Sequence, residues 1–424
     1  MKKNLLLVAV FLVGFASQAQ QELGIVGSSN WLNGWSTFNP VQKDYPKTTK
    51  ILSGKISSDL TLSNLETYNL IGEVHVTNNA TLTIQPGTII RASSDEYSSL
   101  IITKGSKIIA QGDVVNPIVF TSDKPVNERK PGDWGGIYIL GGAPLNTYGN
   151  IAKIESEIPA NFKNCGGDLV EDNSGILKNV RIEFAGKGKT RYETNSALSL
   201  VAVGSQTVLE SIQISVSNGN SFKVIGGNVK ATKLVSYRSK NSDYEFSQGA
   251  NANVENGLAI RYPFFSANSD FRAVTVRPYE NFDLTDFSKP STNVNLVYFT
   301  ILNESESNQS ANGLIKEAVF VHNKCNMLLK NSVISGFDSA LLLDDEIDIT
   351  DANLSKIKLQ RVFINNCKKN IITEKGGVLN DDLEFYYASK AFGNVYSKTN
   401  SEELFVDAVS LKSPDFRIKI GSIN

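Results

Sequence analysis

Short apolar stretches alternate with polar residues along most of the chain. The pairs Val74/Val76 and Leu82/Ile84 have this alternation, and Asn78 lies in the polar turn between them. Alternation with period two, broken by turn residues, is typical of short β-strands. No stretch after the first twenty residues combines helical periodicity with proper caps over three turns. The pattern therefore predicts an all-β protein.

An internal repeat selects one all-β architecture. The unit of apolar strand, turn and apolar strand that begins at Ile212 recurs at Leu234, 22 residues later. A repeat of this length with two or three short strands is typical of a parallel β-helix, in which successive coils stack at ~4.8 Å. Recurrent Asn at a turn suits this fold, because stacked amides can hydrogen-bond from coil to coil. We predict a right-handed parallel β-helix, a solenoid, over residues 66–424.

Two stretches are predicted to be loops inserted in the solenoid. Residues 277–293 contain few periodic apolar positions, and residues 344–358 are rich in acids. Similar strand units begin at Val319, Val333 and Val362, but their spacings of 14 and 29 residues leave the coil register open there.

The beginning of the chain has the features of a secretory signal peptide. Lys2 and Lys3 precede an apolar run over residues 5–15, and small residues follow as far as Ala19. A membrane span needs ~20 apolar residues, so residues 1–19 are predicted to be removed on export. We expect the protein in the periplasm, at the outer membrane or on the cell surface. The mature chain has no predicted transmembrane segment, and peripheral membrane association stays open.

Residues 20–65 are predicted to form an N-terminal cap. An uncovered terminal coil exposes unpaired backbone groups to other chains. This segment contains Trp31 and Trp35, whose large side chains are suited to covering a coil.

Composition and charge remove several classes of function. The 424 residues include 42 Lys and Arg against 43 Asp and Glu, a net charge of −1. This balance lacks the basic surplus that nucleic-acid binding needs, so no nucleic-acid partner is predicted. Two histidines argue against His-rich zinc sites and most His-based triads. Three cysteines are too few for a disulfide scaffold.

Several motifs in one order resemble a known family. They are residues 82–90, 108–112, 117–122, 132–137, 172–177 and 180–186. Together they are similar to a family of exported right-handed β-helix proteins, common in Bacteroidetes-type bacteria and mostly without an assigned function. The resemblance covers about residues 64–262 and implies the fold predicted above.

The chain departs from this family in its acidic residues. The resemblance implies paired acids where this sequence has Asn218, Asn220 and Lys223, and only Asp243 and Glu245 remain of a second acidic group. A β-helix lyase acting on acidic glycans needs several carboxylates to hold a divalent cation. We therefore predict no cofactor and no calcium-dependent cleavage.

Charged side chains on successive coils are candidate groove contacts. They are Arg181, Glu183, Arg191, Glu193, Asp243, Glu245 and Arg261. The same alternation also suits outward ladders of opposite charge, which stabilise a sheet and bind nothing. Trp134, between Asp133 and Gly135, is either a platform for a sugar or an indole buried at a tight corner.

The densest group of carboxylates is a weak candidate for a calcium site. It consists of Asp344, Asp345, Glu346, Asp348 and Asp351. Calcium takes six to eight oxygen ligands, which this group could supply. The spacing matches no known calcium loop, so a solvated acidic loop is the alternative.

The sequence leaves three functions open. The first is a non-enzymatic cell-envelope or surface protein that binds a glycan or a protein along one long face. The second is a polysaccharide lyase or hydrolase of the same fold, and the third is an accessory subunit of an outer-membrane complex. Solenoids host enzymes and binding proteins alike, so the fold does not decide among them.

Overall fold

The computed structural model describes residues 22–27, 30–154, 159–190, 193–263, 272–304, 316–374, 379–410 and 412–419. The predicted signal peptide lies outside these residues, and so does the candidate Arg191.

The secondary structure consists almost entirely of short strands. The first nine are β1 Lys50–Ile56, β2 Leu60–Leu62, β3 Thr67–Val76, β4 Thr81–Ile84, β5 Ile89–Ala92, β6 Ser99–Ile102, β7 Lys107–Gln111, β8 Ile118–Ser122 and β9 Gly136–Leu140. The next nine are β10 Ala152–Lys153, β11 Asn164–Cys165, β12 Gly175–Glu183, β13 Leu198–Val201, β14 Val208–Ser215, β15 Phe222–Ile225, β16 Asn228–Tyr237, β17 Tyr244–Ser247 and β18 Asn251–Arg261. The last ten are β19 Val274–Val276, β20 Asn293–Asn303, β21 Glu317–Val321, β22 Asn326–Ser335, β23 Ser339–Leu343, β24 Ile357–Asn365, β25 Lys369–Thr373, β26 Val395–Ser397, β27 Phe405–Asp407 and β28 Asp415–Ile418.

The described helices are short. The α-helices are α1 Ala160–Lys163, α2 Asp351–Leu354, α3 Leu379–Tyr387 and α4 Ser401–Leu404. Three 3-10 turns occupy Pro40–Gln42, Tyr148–Asn150 and Phe282–Leu284.

Twenty-four of the strands form one parallel stack with three faces. Face A contains β2, β4, β7 and the first halves of the long strands β12, β14, β16, β18, β20, β22 and β24. Face B contains the second halves of those strands together with β5, β8, β26 and the first halves of β1 and β3. Face C contains the second halves of β1 and β3 together with β6, β9, β13, β15, β17, β19, β21, β23 and β25. The all-β prediction and the parallel β-helix prediction are confirmed.

A single residue turns each long strand from face A to face B. Its φ is positive, between 48° and 62°, and the residues on both sides stay paired with the neighbouring coils. These corner residues are Asn179, Ser211, Lys233, Asn256, Tyr298, Asn331 and Arg361. Left-handed backbone is costly for most L-residues. The backbone hydrogen bonds that the residues on both sides of each corner form with the neighbouring coils must offset that cost.

The predicted 22-residue repeat is seen in the coil register. Ile212 lies opposite Leu234, and Phe222 lies opposite Tyr244. The rings of Phe222 and Tyr244 stack with centroids 5.1 Å apart, and both are buried in the central hydrophobic core.

The structure gives the register of the later repeats, which their spacing left open. Val333, in face B, lies opposite Phe363, thirty residues later. Val319 belongs to face C and lies opposite Leu341, so the units at Val319 and Val333 are not equivalent parts of two coils. The reason is that period-two alternation is the same on every face and does not encode which face a strand joins.

The segment predicted as an N-terminal cap has two parts. Strands β1 and β2 form the first coil and pair with β3 and β4, so the solenoid begins at Lys50. Residues 22–27 and 30–49, here called the N-terminal strap, lie along the outside of face B and not over the first coil. The strap begins with a hydrogen bond from Gly24 N to Asn331 O (2.8 Å). It ends beside the first coil, where Thr49 N donates to Thr67 O (2.7 Å).

The strap covers an apolar row on face B. Its buried side chains include Leu32, Trp35 and Phe38. They pack with outward residues of face B, which are Val235, Tyr237, Leu258, Ile260, Leu302, Val333 and Phe363. An exposed row of this kind would be a large apolar patch, which soluble proteins cover.

The C-terminal end of the stack is closed by α3. Leu383 and Tyr387 are buried in the central core, and the Tyr387 hydroxyl donates to Ile357 O (2.8 Å). The antiparallel pair β27 and β28 then packs Phe405 and Phe416 against the strap residue Phe38 and its neighbours.

Insertions project from the coils within the described part of the chain. Residues 277–292 connect β19 to β20, and residues 344–356 connect β23 to β24 and contain α2. A third insertion, described over residues 141–154 and 159–174, contains β10, β11 and α1 and has no counterpart among the predicted loops. It covers the outward side of face C, where Ile154 and Cys165 pack with Ile101, Leu140 and Val201.

Candidate functional site

The outward side of face A forms an open groove. Within the described residues the strap covers face B and residues 141–174 cover part of face C, whereas outward positions of face A such as Val208 (41% exposed) remain accessible. The groove has a volume of about 640 Å³. It is lined by Ser205, Thr207, Val208, Leu209, Glu210, Lys230, Ala231, Thr232, Asn253, Val254, Glu255, Asn295 and Val297.

Two parallel rows of side chains form the floor of this groove. Lys230, Asn253 and Asn295 lie opposite one another on successive strands. The second row consists of Glu210, Thr232, Glu255 and Val297. The rows arise because alternate residues of each parallel strand face outward and the strands are in register.

Asparagine side chains form ladders along the groove. Asn251 Nδ2 donates to Asn228 Oδ1, and Asn293 Nδ2 donates to Asn251 Oδ1, both at 3.0 Å. Asn295 Nδ2 donates to Asn253 Oδ1 at 2.8 Å. Coil-to-coil amide bonding, predicted from recurrent Asn, is therefore present, on the exposed face A.

The groove contains two carboxylates with different surroundings. Glu210 forms an ion pair with Lys178 (2.9 Å), while Glu255 is exposed two strands away. At ~4.8 Å per strand, their backbones are about 10 Å apart. The row of Glu210 and Glu255 thus supplies carboxylate acceptors. The neighbouring row supplies the ammonium group of Lys230 and the amides of Asn253 and Asn295.

Two of the predicted groove residues, Arg181 and Glu183, lie beneath the strap. Arg181 is 7% exposed and Glu183 is completely buried. The Tyr45 hydroxyl donates to Glu183 Oε1 (2.8 Å), and Thr121 Oγ1 donates to Oε2 (2.9 Å). Burial raises the pKa of the Glu183 carboxyl, and the charge of Arg181 opposes that shift.

Trp134 is fully buried, and its Nε1 donates to Glu183 O (2.8 Å). Of the two possibilities left by the sequence, the buried indole at a corner is the one observed.

The other predicted groove residues point in different directions. Asp243 and Arg261 are both fully buried and form an ion pair (2.7 Å). Burial raises the pKa of the Asp243 carboxyl, and Arg261 opposes the shift. Glu245 faces outward on face C, where it contacts Lys223 (3.2 Å) and Asn220 (3.1 Å).

These contacts explain the residues that replace the expected acids. Asn220 and Lys223 stand where the resemblance implies acids, and their Nδ2 and Nζ atoms contact Glu245. Glu245, one of the two acids that remain, is therefore held by these replacement residues. Glu193 is exposed on the turn before β13. The predicted set therefore does not form one groove.

The carboxylates of residues 344–351 do not converge. Asp344 Oδ1 accepts from Glu346 N (2.9 Å), and its Oδ2 contacts Asn323 N (3.2 Å) and His322 Nδ1 (3.1 Å). Asp345, Glu346 and Asp348 lie along the turn, and Asp351 starts α2. Across the described residues, no three His, Cys, Asp or Glu side chains are close enough to hold a metal ion.

Sequence reasoning did not identify the groove of face A. A signal was present: Asn228, Lys230 and Thr232 alternate with apolar residues, and Asn251, Asn253 and Glu255 repeat the pattern one coil later. Period two combined with the coil repeat predicts two aligned polar rows.

A family model described as "Pectate-lyase like beta helix domain" matches residues 54–403. The chain belongs to this family. The match includes every strand of face A and all groove residues named above. The pectate-lyase-like chain matches no curated protein and no solved structure. None of the helices in its described part is long and apolar enough to cross a membrane.

Proposed function

We propose that the protein is exported and acts in the cell envelope or at the cell surface, where it binds a glycan along the groove of face A without cleaving it. The observation that carries this proposal is the exposed row Lys230, Asn253 and Asn295, repeated once per strand. Amide, ammonium and carboxylate groups at a fixed spacing suit the hydroxyl groups of a polymer whose units also repeat. The matched family domain supports the same class of ligand.

The proposal is tested by measuring binding of the purified protein to an array of polysaccharides, followed by calorimetry with each glycan retained. The double variant Asn253→Ala/Asn295→Ala should weaken binding about thirtyfold, because two hydrogen bonds of roughly 1 kcal/mol each are lost. The matched control is Asn64→Ala, which changes an exposed Asn on a turn of the first coil. Retention of no glycan, or equal affinity for all three proteins, would contradict the proposal.

A polysaccharide lyase or hydrolase is the second candidate, and the family description favours it. Its carboxylates would be Glu210 and Glu255, which lie in the groove two strands apart. We favour binding alone because Glu210 is neutralised by Lys178 and because Asp243 is buried against Arg261. Release of unsaturated or reducing ends from a bound glycan, lost in Glu255→Gln, would establish the enzyme instead.

The proposal includes no cofactor and no nucleic-acid partner. Millimolar calcium should therefore leave the melting temperature unchanged.

A third candidate is an accessory subunit of an outer-membrane complex, for which the ligand of the groove would be a protein. Isolation of the native protein from periplasmic, outer-membrane and surface fractions tests both the location and this alternative. Recovery with stoichiometric protein partners, and without glycan binding, would favour the third candidate.

A further inference from the structure

A second pocket lies at the corner between face C and face A, outside the groove. Three successive turns build it, each leading into a strand of face A. Its volume is about 340 Å³. The lining residues are Asn146, Pro278, Phe287, Lys289, Ser291, Lys324, Cys325, Asn326 and Lys356.

The pocket concentrates positive charge in a chain that is nearly neutral overall. Lys289, Lys324 and Lys356 line it, and no carboxylate does. Within the described part of the chain, none of these three lysines forms an ion pair, in contrast to Lys178 and Lys223.

The acids near this pocket are occupied elsewhere. Asp286 Oδ1 accepts from Ser288 N (3.1 Å) and Ser288 Oγ (2.6 Å). Asp344, which lies beyond Cys325, accepts from backbone groups of its own turn and of Asn323. Lys289 attracts the charge of Asp286, but within the described residues neither acid forms an ion pair with a lysine of the pocket.

The ammonium groups are held in place and keep donors free. Lys289 Nζ donates to Thr147 O (2.7 Å) and Asn150 Oδ1 (2.6 Å), and Lys356 Nζ donates to Asn353 Oδ1 (3.2 Å). Lys324 Nζ lies 4.3 Å from the centre of the Phe287 ring. Because an ammonium group has three N–H donors, each of the three retains at least one.

The pocket lies beside the groove at the start of the same strands. Asn326, in its wall, lies opposite Asn293 on β20, and Asn295, two residues further along that strand, lines the groove. A polymer that follows the groove can therefore place a substituted unit in the pocket.

We propose that this corner pocket binds a sugar unit that carries a phosphate or sulfate ester, as part of a glycan held along face A. The inference rests on the proposed function. Lysines from three separate turns line the pocket, and such an ester offers them three non-bridging oxygens where a carboxylate offers two. The Phe287 ring supplies an apolar wall for the sugar, and the pocket is larger than a bare oxyanion requires.

The test is calorimetric titration of the full chain with glucose 6-phosphate and glucose 6-sulfate, beside glucose, glucuronate and inorganic phosphate. Both esters should bind more tightly than the other three probes, and their affinity should fall as salt is added. Lys324→Gln and Lys356→Gln should each weaken ester binding roughly threefold, and the double variant about tenfold, as expected for exposed charge pairs. Lys390→Gln, at an exposed lysine near the C-terminal end, is the matched control and should bind as the parent does.

The remaining outcomes distinguish failure of the pocket from failure of the groove proposal. Equal binding of inorganic phosphate and the esters would mean that the pocket holds a free ion only. Equal binding of glucose or glucuronate would contradict the role of the ester, and unchanged affinity in the double variant would contradict the pocket. A fourth outcome is that the esters bind but Asn253→Ala/Asn295→Ala leaves polysaccharide binding intact. In that case the groove proposal fails and the pocket stands.

Discussion

The Tyr45 hydroxyl donates a hydrogen bond to the buried carboxylate of Glu183, 2.8 Å from Oε1. This contact joins the N-terminal strap to a strand 138 residues away along the chain. Arg181 Nη2 donates to the same hydroxyl (3.1 Å). The charged pair that the sequence suggested for a ligand groove thus holds one part of the chain against another.

Removal of the Tyr45 hydroxyl tests this attachment. Tyr45→Phe should lower the free energy of unfolding by about 1–3 kcal/mol, because a buried carboxyl acceptor loses one of its donors. The control Tyr148→Phe changes a tyrosine that is 65% exposed and should stay within about 0.5 kcal/mol of the parent. Urea denaturation measures both, and hydrogen exchange of residues 30–49 should rise in Tyr45→Phe alone. Equal stabilities would show that the hydrogen bond contributes nothing.

The raised pKa of Glu183 predicts a dependence of stability on pH. In the folded protein this carboxyl ionises above its ordinary value of 4.5, so the folded state holds a proton that the unfolded state has lost. The contribution of this group to stability is complete below pH 4.5 and falls as the pH rises toward the folded pKa. Glu183→Gln removes the ionisation.

The measurement is the difference in unfolding free energy between the parent and Glu183→Gln at several pH values. Relative to the variant, the parent should lose stability as the pH rises from 4.5. A difference that is constant with pH, or one that grows in favour of the parent, would contradict the predicted direction.

The interior of the solenoid was predictable because two periods agree. Alternation assigns Phe222 and Val224 to one side of a strand, and the 22-residue repeat places Tyr244 and Phe246 beside them. Phe222→Asp should therefore cost several kcal/mol, since it buries a charge between stacked apolar side chains. Asn253→Asp, which places a new carboxylate on the exposed face, is the control and should cost much less. Similar thermal melting of both variants would mean that Phe222 does not face the core.

The corners between faces A and B were less predictable. Left-handed backbone favours Gly and Asn, which identifies Asn179, Asn256 and Asn331. The equivalent corners at Tyr298 and Arg361 carry residues without that preference. There the pairing of neighbouring coils imposes the turn, and no local sequence signal marks it.

The candidate site could not be placed for a related reason. Alternation shows that Arg181 and Glu183 face outward, but it does not show that Tyr45 and the rest of the strap cover them. Coverage is a long-range contact between distant parts of the chain. The exposed rows of face A have the same local pattern, and only the absence of a covering segment in the described structure distinguishes them.

The Asn ladder on face A gives a test of coil-to-coil pairing at one position. Asn251 is both donor and acceptor, since it donates to Asn228 and accepts from Asn293. Asn251→Asp keeps the acceptor and replaces the donor by an oxygen that faces Asn228 Oδ1. The expected cost is about 0.5–1 kcal/mol, the usual worth of one exposed hydrogen bond. Asn253→Asp is the matched control, because Asn253 serves as an acceptor for Asn295 and that role survives the change. Thermal melting should place Asn251→Asp below Asn253→Asp, and the reverse order would show that the ladder does not stabilise the stack.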